Sequence, residues 1–310
     1  LLYYLVAFLI MGGIYAILCL ALNIQWGMGG LFNAGIAGFF AVGAYASVIV
    51  TTPESEDHVG GFDLPFPLGL LAAALFAGIT GWIVARVCVR LKSDYLAMAS
   101  VGIAEILRLI IVNEQWLTNG SLGISTVPRP LGDLAEGREG DFIYLAIVWL
   151  VVLLAYVLNQ RLYRSPWGRT LRAIRDNEEA ARAAGVDTFK YKMIACLISA
   201  ALTALAGVFF AFYYNNLFPE QIFNMGRSIE IILAPIIGGV GTLFGPVLGA
   251  ALLTLMSEGL TSALQAAGIE APGLKQVLYG VALGLCIMFM PHGMWPALAR
   301  RWGFTREAAV

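Results

Sequence analysis

RLYRSPWGRTLRAIRDNEEAARAAGVDTFKYK, Arg161 to Lys192, interrupts an otherwise apolar chain. Apolar runs flank it on both sides, but here charge is dense. Arg161, Arg164, Arg169, Arg172, Arg175, Arg182, Lys190 and Lys192 stand against Asp176, Glu178, Glu179 and Asp187. The whole chain carries a formal charge of -1, so this basic excess is local. In a hydrophobic protein, a basic segment between apolar runs marks the cytoplasmic face.

The segment reads as two short helices. Ser165-Pro166 offers a hydroxyl N-cap followed by proline at the first helical position, where no amide donor is required. Leu171 and Ile174 fall three apart on one face. Asp176 is expected to cap the second helix, with Glu179 closing a capping box. Ala180, Ala181, Ala183 and Ala184 propagate it, and Gly185 fits the left-handed residue that ends it. Asp187 then caps the helix entering the next apolar run. A solvated loop between spans is one reading. The other is a docking helix whose small alanines allow close approach and whose charges complement a cytoplasmic partner. On that second reading the contact residues are Arg172, Arg175, Asp176, Glu179, Ala181, Ala184 and Gly185.

Composition sets the class. Of 310 residues, 59% are hydrophobic and 13% charged, and the mean hydropathy is +0.79. Soluble domains carry about twice that charge. The apolar runs are long and do not alternate, which selects an all-α polytopic membrane protein over a barrel. Spans are predicted at Leu2–Leu22, Leu31–Val50, Leu68–Val89, Tyr95–Val112, Phe142–Leu158, Tyr191–Tyr213 and Leu274–Met290, with two shorter passes between Ile229 and Leu264. About 20 helical residues cross a bilayer, so about 8–10 transmembrane helices are expected, some broken at glycine. Arg86, Arg90 and Lys92 lie inside by the loop-charge rule. Glu54, Glu56, Asp57 and Asp63 lie outside, as does Asn113–Asp141, where acidic residues outnumber Arg129 and Arg138. Arg300, Arg301 and Arg306 place the C-terminus inside. The count closes with the N-terminus outside. The chain opens without methionine, which leaves room for further residues, or a first span, ahead of Leu1.

Two segments are punctuated by glycine: Trp26–Ala46 and Ala234–Ala250. In the second, Gly241, Gly245 and Gly249 recur every four residues, the spacing of a close helix-packing face. Gly238-Gly239 followed by Pro246 argues against an unbroken helix. Broken helices at membrane depth line cavities and transport sites. Plain packing and a pathway role both fit. The pathway candidates are Asn33, Gly35, Gly238, Gly239, Gly241 and Thr242, with the span-embedded Glu105 and Arg108. The last two are three apart and near the bilayer midplane, so they are expected to face the protein interior and to partner each other. That pair either locks its helix to a neighbour or lines the route of a zwitterionic solute.

Several chemistries have no candidate residues. The sequence holds no Gly-Lys dipeptide and hence no P-loop. His58 and His292 read as surface residues. Cys19, Cys88, Cys196 and Cys286 are scattered, which suggests neither a disulfide framework nor a metal site. No nucleophile-base pairing is visible for an intramembrane hydrolase. An ion-coupled carrier would need coupling-ion ligands at the broken helices, and Gly238–Thr242 offers only carbonyls and one hydroxyl.

Four stretches together carry a resemblance. GRTLRAIRDNEEAARAAGVDTFKYKMIACLISAALTALAGVFFA resembles the cytoplasmic segment and following helix of the LivM-type inner-membrane permeases of branched-chain amino acid ABC importers. LALNIQWGMGGLFNAGIAGFFAVGAYAS, LKSDYLAMASVGIAEILRLI with LTNGSLGIS, and IIGGVGTLFGPVLGA resemble that family's early, middle and late stretches. They occur in order from about Ala16 to about Met290. One departure is FNAG at Phe32–Gly35, where many relatives have a Ser-Leu-Gly-His-like run. The resemblance implies one permease domain over residues 1–310, with 161–192 as coupling segment and 234–250 as broken-helix segment. It implies a second permease subunit in a heterodimer, two cytoplasmic ATPase subunits that bind the ATP, and a periplasmic solute-binding protein. No cofactor on this chain, no catalysis by it and no nucleic acid follow from the same reading, and bacterial inner-membrane lipid surrounds it. Branched-chain amino acids, other amino acids, urea and amides all remain open as solute.

Overall fold

The computed structural model describes residues 2–53, 61–91, 93–125, 127, 138–223, 225–266, 277, 280, 281, 284, 288 and 293–301. Glu54, Glu56, Asp57, His58, Arg129, Cys286, His292, Arg306 and nearly all of the span predicted at Leu274–Met290 lie outside them.

The described chain is helical throughout, and its β pairing is the isolated antiparallel bridge Ile124–Leu217. Helix α1 (Leu2–Leu22) continues as a π-helical turn, Asn23–Met28. After it come α2 (Ile36–Thr51), α3 (Phe66–Cys88), α4 (Ser93–Asn113), the single-turn α5 (Gln115–Thr118) and α6 (Arg138–Arg164). Then follow α7 (Pro166–Asp176), α8 (Glu178–Ala183), α9 (Thr188–Tyr214), the short α10 (Pro219–Ile222), α11 (Met225–Gly238), α12 (Gly245–Ala266) and α13 (Met294–Arg301). Among the described residues five helices are long and apolar enough to cross a membrane, and Ile36–Thr51, Ser228–Gly238 and Gly245–Ser257 are shorter apolar helices. The predicted span Leu31–Val50 starts later than expected, because Gly29 to Gly35 form a non-helical loop.

Helix α1 is apolar on every side, and α6, α9 and α12 surround it. A helix without a polar face belongs in the interior. Beside it, α2, α3 and α9 pack through small residues. A Cβ at Gly207 would overlap the Phe40 carbonyl, one at Gly43 would overlap Ala204, and one at Gly81 would come within 2.8 Å of Ala200 Cβ. Such contacts hold helices together where lipid removes the hydrophobic drive. Leu71, Leu75, Ile79 and Ile83 on α3 and Leu150, Leu153 and Leu154 on α6 point outward. That is ruinous in water but suited to hydrocarbon.

The Gly-rich region forms two passes with a break between them, as expected. Helix α11 carries Pro235 in its interior and stops at Gly238. Gly239 (φ 114) and Gly241 (φ 83) then take left-handed backbone. Thr242 Oγ1 donates to Gly239 O at 2.8 Å and accepts Gly245 N–H at 3.1 Å. The four-residue glycine period does not form one helix face. Gly241 lies in the turn, and Gly245 and Gly249 pack within the α11–α12 hairpin, against Gly238, Gly239 and the Ala234 carbonyl. This turn sits on the same side as α7, since a Cβ at Gly241 would meet Arg175 Nη1 at 3.3 Å. The hairpin therefore reaches toward the α7 side and returns, and α1 starts from the opposite side.

Candidate functional site

The basic segment is built largely as its residue order dictates. Ser165 caps α7 by accepting Gly168 N–H at 3.0 Å, with Pro166 in the first turn. Leu171 and Ile174 are buried on its inner face, and Trp167 stacks on Tyr191. The cap of α8 is Asn177, not Asp176: Asn177 Oδ1 accepts Ala180 N–H at 3.0 Å. Asp176 instead closes α7 and accepts from Arg175 Nη2 at 3.0 Å, so the expected capping box with Glu179 does not form. A Schellman motif ends α8. Val186 N–H donates to Ala181 O and Gly185 N–H to Arg182 O, with Gly185 at φ 86. Ala180, Ala183, Ala184, Gly185 and Glu179 face outward.

Three residues expected to meet a partner are turned elsewhere. Ala181 is buried beneath α8. Arg172 folds back, donating to Tyr163 O at 3.2 Å and lying 4.0 Å from the centroid of the Tyr163 ring. Arg175 reaches into the membrane body, its Nη1 donating to Gly27 O at 2.6 Å. Spacing cannot show this, because long side chains on a short helix reach either way.

Lys192, on the first turns of α9, is a tie that sequence reasoning missed. Its ammonium sits 2.6 Å from Glu178 Oε2 with a side chain only 9% exposed. Burial works against ionisation of Glu178. The Lys192 hydrogen bond and charge, with Thr188 and Arg182, outweigh it and hold the carboxyl below its usual range. Asp187 is also lowered, chiefly by the Lys190 amide that it caps. A groove of about 730 Å³ opens here between Arg90 and Phe189 on one side and Glu178 and Arg182 on the other.

The two glycine segments meet at the inner end of α1. A Cβ at Gly27 would approach Gly241 N at 2.8 Å. Asn23 clamps the turn with both ends of its amide: Oδ1 accepts Gly241 N–H at 2.9 Å and Nδ2 donates to Thr242 O at 3.0 Å. Single π-helical turns such as Asn23–Met28 recur at functional sites. Gly238, Gly239, Gly241 and Thr242 are thus buried in a close-packed joint rather than lining an open route. Asn33 is buried as well, with Oδ1 accepting Gly35 N–H at 2.9 Å and Nδ2 3.4 Å from Gln25 Oε1. Gln25 donates onward to Cys196 Sγ at 3.2 Å.

Glu105 and Arg108 pair as the spacing predicts, with Nη2 2.6 Å from Oε1. They do not face the interior of the chain, because Arg108 is 32% and Glu105 51% exposed. Their face of α4 borders a cleft of about 130 Å³ formed with Gly35, Ala104, Ser228, Ile229 and Ile232. Among the described residues, no cluster of three or more His, Cys, Asp or Glu side chains comes together to hold a metal.

The profile of the family described as branched-chain amino acid transport system / permease component matches residues 4–288. The chain is 32% identical over 306 aligned positions to the high-affinity branched-chain amino acid transport system permease protein LivM of Escherichia coli K12, covering 91% of this chain and 68% of that protein. It is 28% identical to the probable branched-chain amino acid transport permease protein LivM of Methanocaldococcus jannaschii, covering 92% and 91%. To LivH of Escherichia coli K12 it is 24% identical, covering 92% of each. The chain belongs to the branched-chain amino acid transport system permease family.

Proposed function

We propose that this chain is one of two membrane subunits, in a heterodimer, of an ATP-driven importer. It moves branched-chain or related amino acids from the periplasm to the cytoplasm across a bacterial inner membrane. Residues 1–310 act as a single permease domain. Two ATPase subunits bind and hydrolyse the ATP, a solute-binding protein delivers the solute, and this chain holds no cofactor and performs no catalysis.

The observation that carries the reading is the α7–α8 segment. Its outer surface, made by Glu179, Ala180, Ala183, Ala184 and Gly185, is low and open, while its inner surface is fixed to the membrane body through Leu171, Ile174 and Arg175. A surface of that kind receives a push and passes it inward. Solute passes along the face of α4 that carries Glu105 and Arg108. A half-exposed charge at membrane depth is costly against lipid, so this face meets a cavity or the second subunit.

The test is reconstitution of this chain with the second subunit, the ATPases and the binding protein in proteoliposomes. ATP-dependent uptake of labelled leucine, isoleucine or valine is expected, with urea and amides as comparison solutes. Uptake driven by an ion gradient without ATP would overturn the reading.

A further inference from the structure

We propose that Arg175 and Asn23 are positioning residues that form a latch between the docking segment and the Gly239–Thr242 turn. Movement of α7 reaches the broken helices through this latch. The proposal rests on the reading that α7–α8 receives the ATPase.

The geometry runs in three steps. Arg175 stands in the last turn of α7 with its guanidinium held on two sides. Nε and Nη2 lie 3.0 Å from Asp176 Oδ1, and Nη1 donates to Gly27 O at 2.6 Å. A planar guanidinium bonded along two edges is a more rigid link than an ammonium on a flexible stem. Gly30, at φ 67, makes room for the arginine stem, since a Cβ there would stand 2.8 Å from Arg175 Cγ.

The second step is the π-helical turn itself. Gly27 and Asn23 belong to the same six residues, so a pull on the Gly27 carbonyl is a pull on Asn23. In the third step Asn23 grips the turn through the backbone of Gly241 and Thr242. These partners are buried, where hydrogen bonds are stronger and their loss costs more.

Past the latch, the backbone at Gly239 and Gly241 is suited to act as a hinge. Helix α11 leaves that hinge carrying Ser228, Ile229 and Ile232, which border the cleft beside Glu105. A displacement at α7 therefore has a continuous packed and hydrogen-bonded route to the cleft wall. Lys192–Glu178 ties α8 to α9 and reaches the π-helical turn only by way of α9 and the Gln25–Cys196 contact, without gripping the Gly239–Thr242 turn.

The experiment reads solute taken up per ATP hydrolysed by the complete complex in proteoliposomes, beside co-purification of the ATPases. Arg175→Met keeps the apolar stem and removes the donors, and its ratio is expected to fall at least tenfold. Arg175→Lys, which restores one donor but not the hold on both sides, is expected to recover part of it, and Lys192→Met should fall clearly less than Arg175→Met. A normal ratio in Arg175→Met, or an equal fall in Lys192→Met, overturns the latch. If Arg175→Met does not assemble, the ratio is read on Asn23→Asp, which keeps the acceptor for Gly241 and loses the donor to Thr242. A parental ratio there also overturns the latch. Loss of ATPase co-purification in Ala184→Trp is a separate readout, and its absence would sink the docking reading instead.

Discussion

Lys192 Nζ lies 2.6 Å from Glu178 Oε2, so α8, the short second helix of the basic segment, is tied by charge to the long apolar α9. Removing one partner of such a pair strands the other. The folded Glu178 carboxyl is held below its usual value of 4.5. A depressed carboxylate stabilises fully above the unfolded pKa, and that contribution is lost as pH falls through the folded one. Protection of the amides from Ala181 to Val186, corrected for intrinsic exchange, should hold from neutral pH to about 4.5 and fall below it. Glu178→Gln should remove the pH step. The same step in that variant would show that another group titrates.

The outward and inward alanines of α8 should behave differently. Ala184 is exposed, so Ala184→Trp should leave the permease folded and block ATPase co-purification. Ala181 is buried, so Ala181→Trp overpacks and should cost about 1–3 kcal/mol of permease stability. Thermal unfolding of the isolated permease separates the two. Equal stability in both variants would mean that α8 is not seated as described.

Gly249 tests the hairpin. A single methyl there overlaps the Ala234 carbonyl, so Gly249→Ala should destabilise by about 1–3 kcal/mol. Gly78 lies in α3 with nothing within 4 Å of its added Cβ. Gly78→Ala should be neutral or slightly stabilising, since alanine is the better helix former. If both changes are tolerated alike, the close contact in the hairpin is absent.

Glu105 and Arg108 are tested together, because a single change strands a charge at membrane depth. Arg108→Gln alone should lower the yield of complex. Glu105→Gln with Arg108→Gln should recover assembly, while uptake per complex drops below a tenth. Normal uptake in the double variant would make the pair a structural tie to a neighbouring subunit.

What the sequence disclosed, it disclosed through local rules. Ser165, Pro166, Gly185 and Asp187 act within three residues of themselves, and each is found in the expected role. The second cap shifted by one residue because Asp176 and Asn177 are both competent, and Arg175 claims the aspartate. Glu105 and Arg108 pair by spacing alone, but the direction their face takes depends on α2 and α11. Asn23 had no local signal, because its partners lie 218 and 219 residues away. Gly241 shares its period with Gly245 and Gly249, and periodicity does not distinguish a turn residue from a helical one.

Helix α1 is made before the helices that enclose it, α6, α9 and α12. During that interval it must reside among lipid tails with no protein around it. Its lack of a polar face makes the wait tolerable, since a helix apolar on all sides is as comfortable in hydrocarbon as in a packed interior. Asn23 and Gln25 are the exceptions, left at its inner end until the hairpin and α9 arrive to meet their amides. The inner end of α1 is thus completed only when later-made helices close over that waiting pair of side chains.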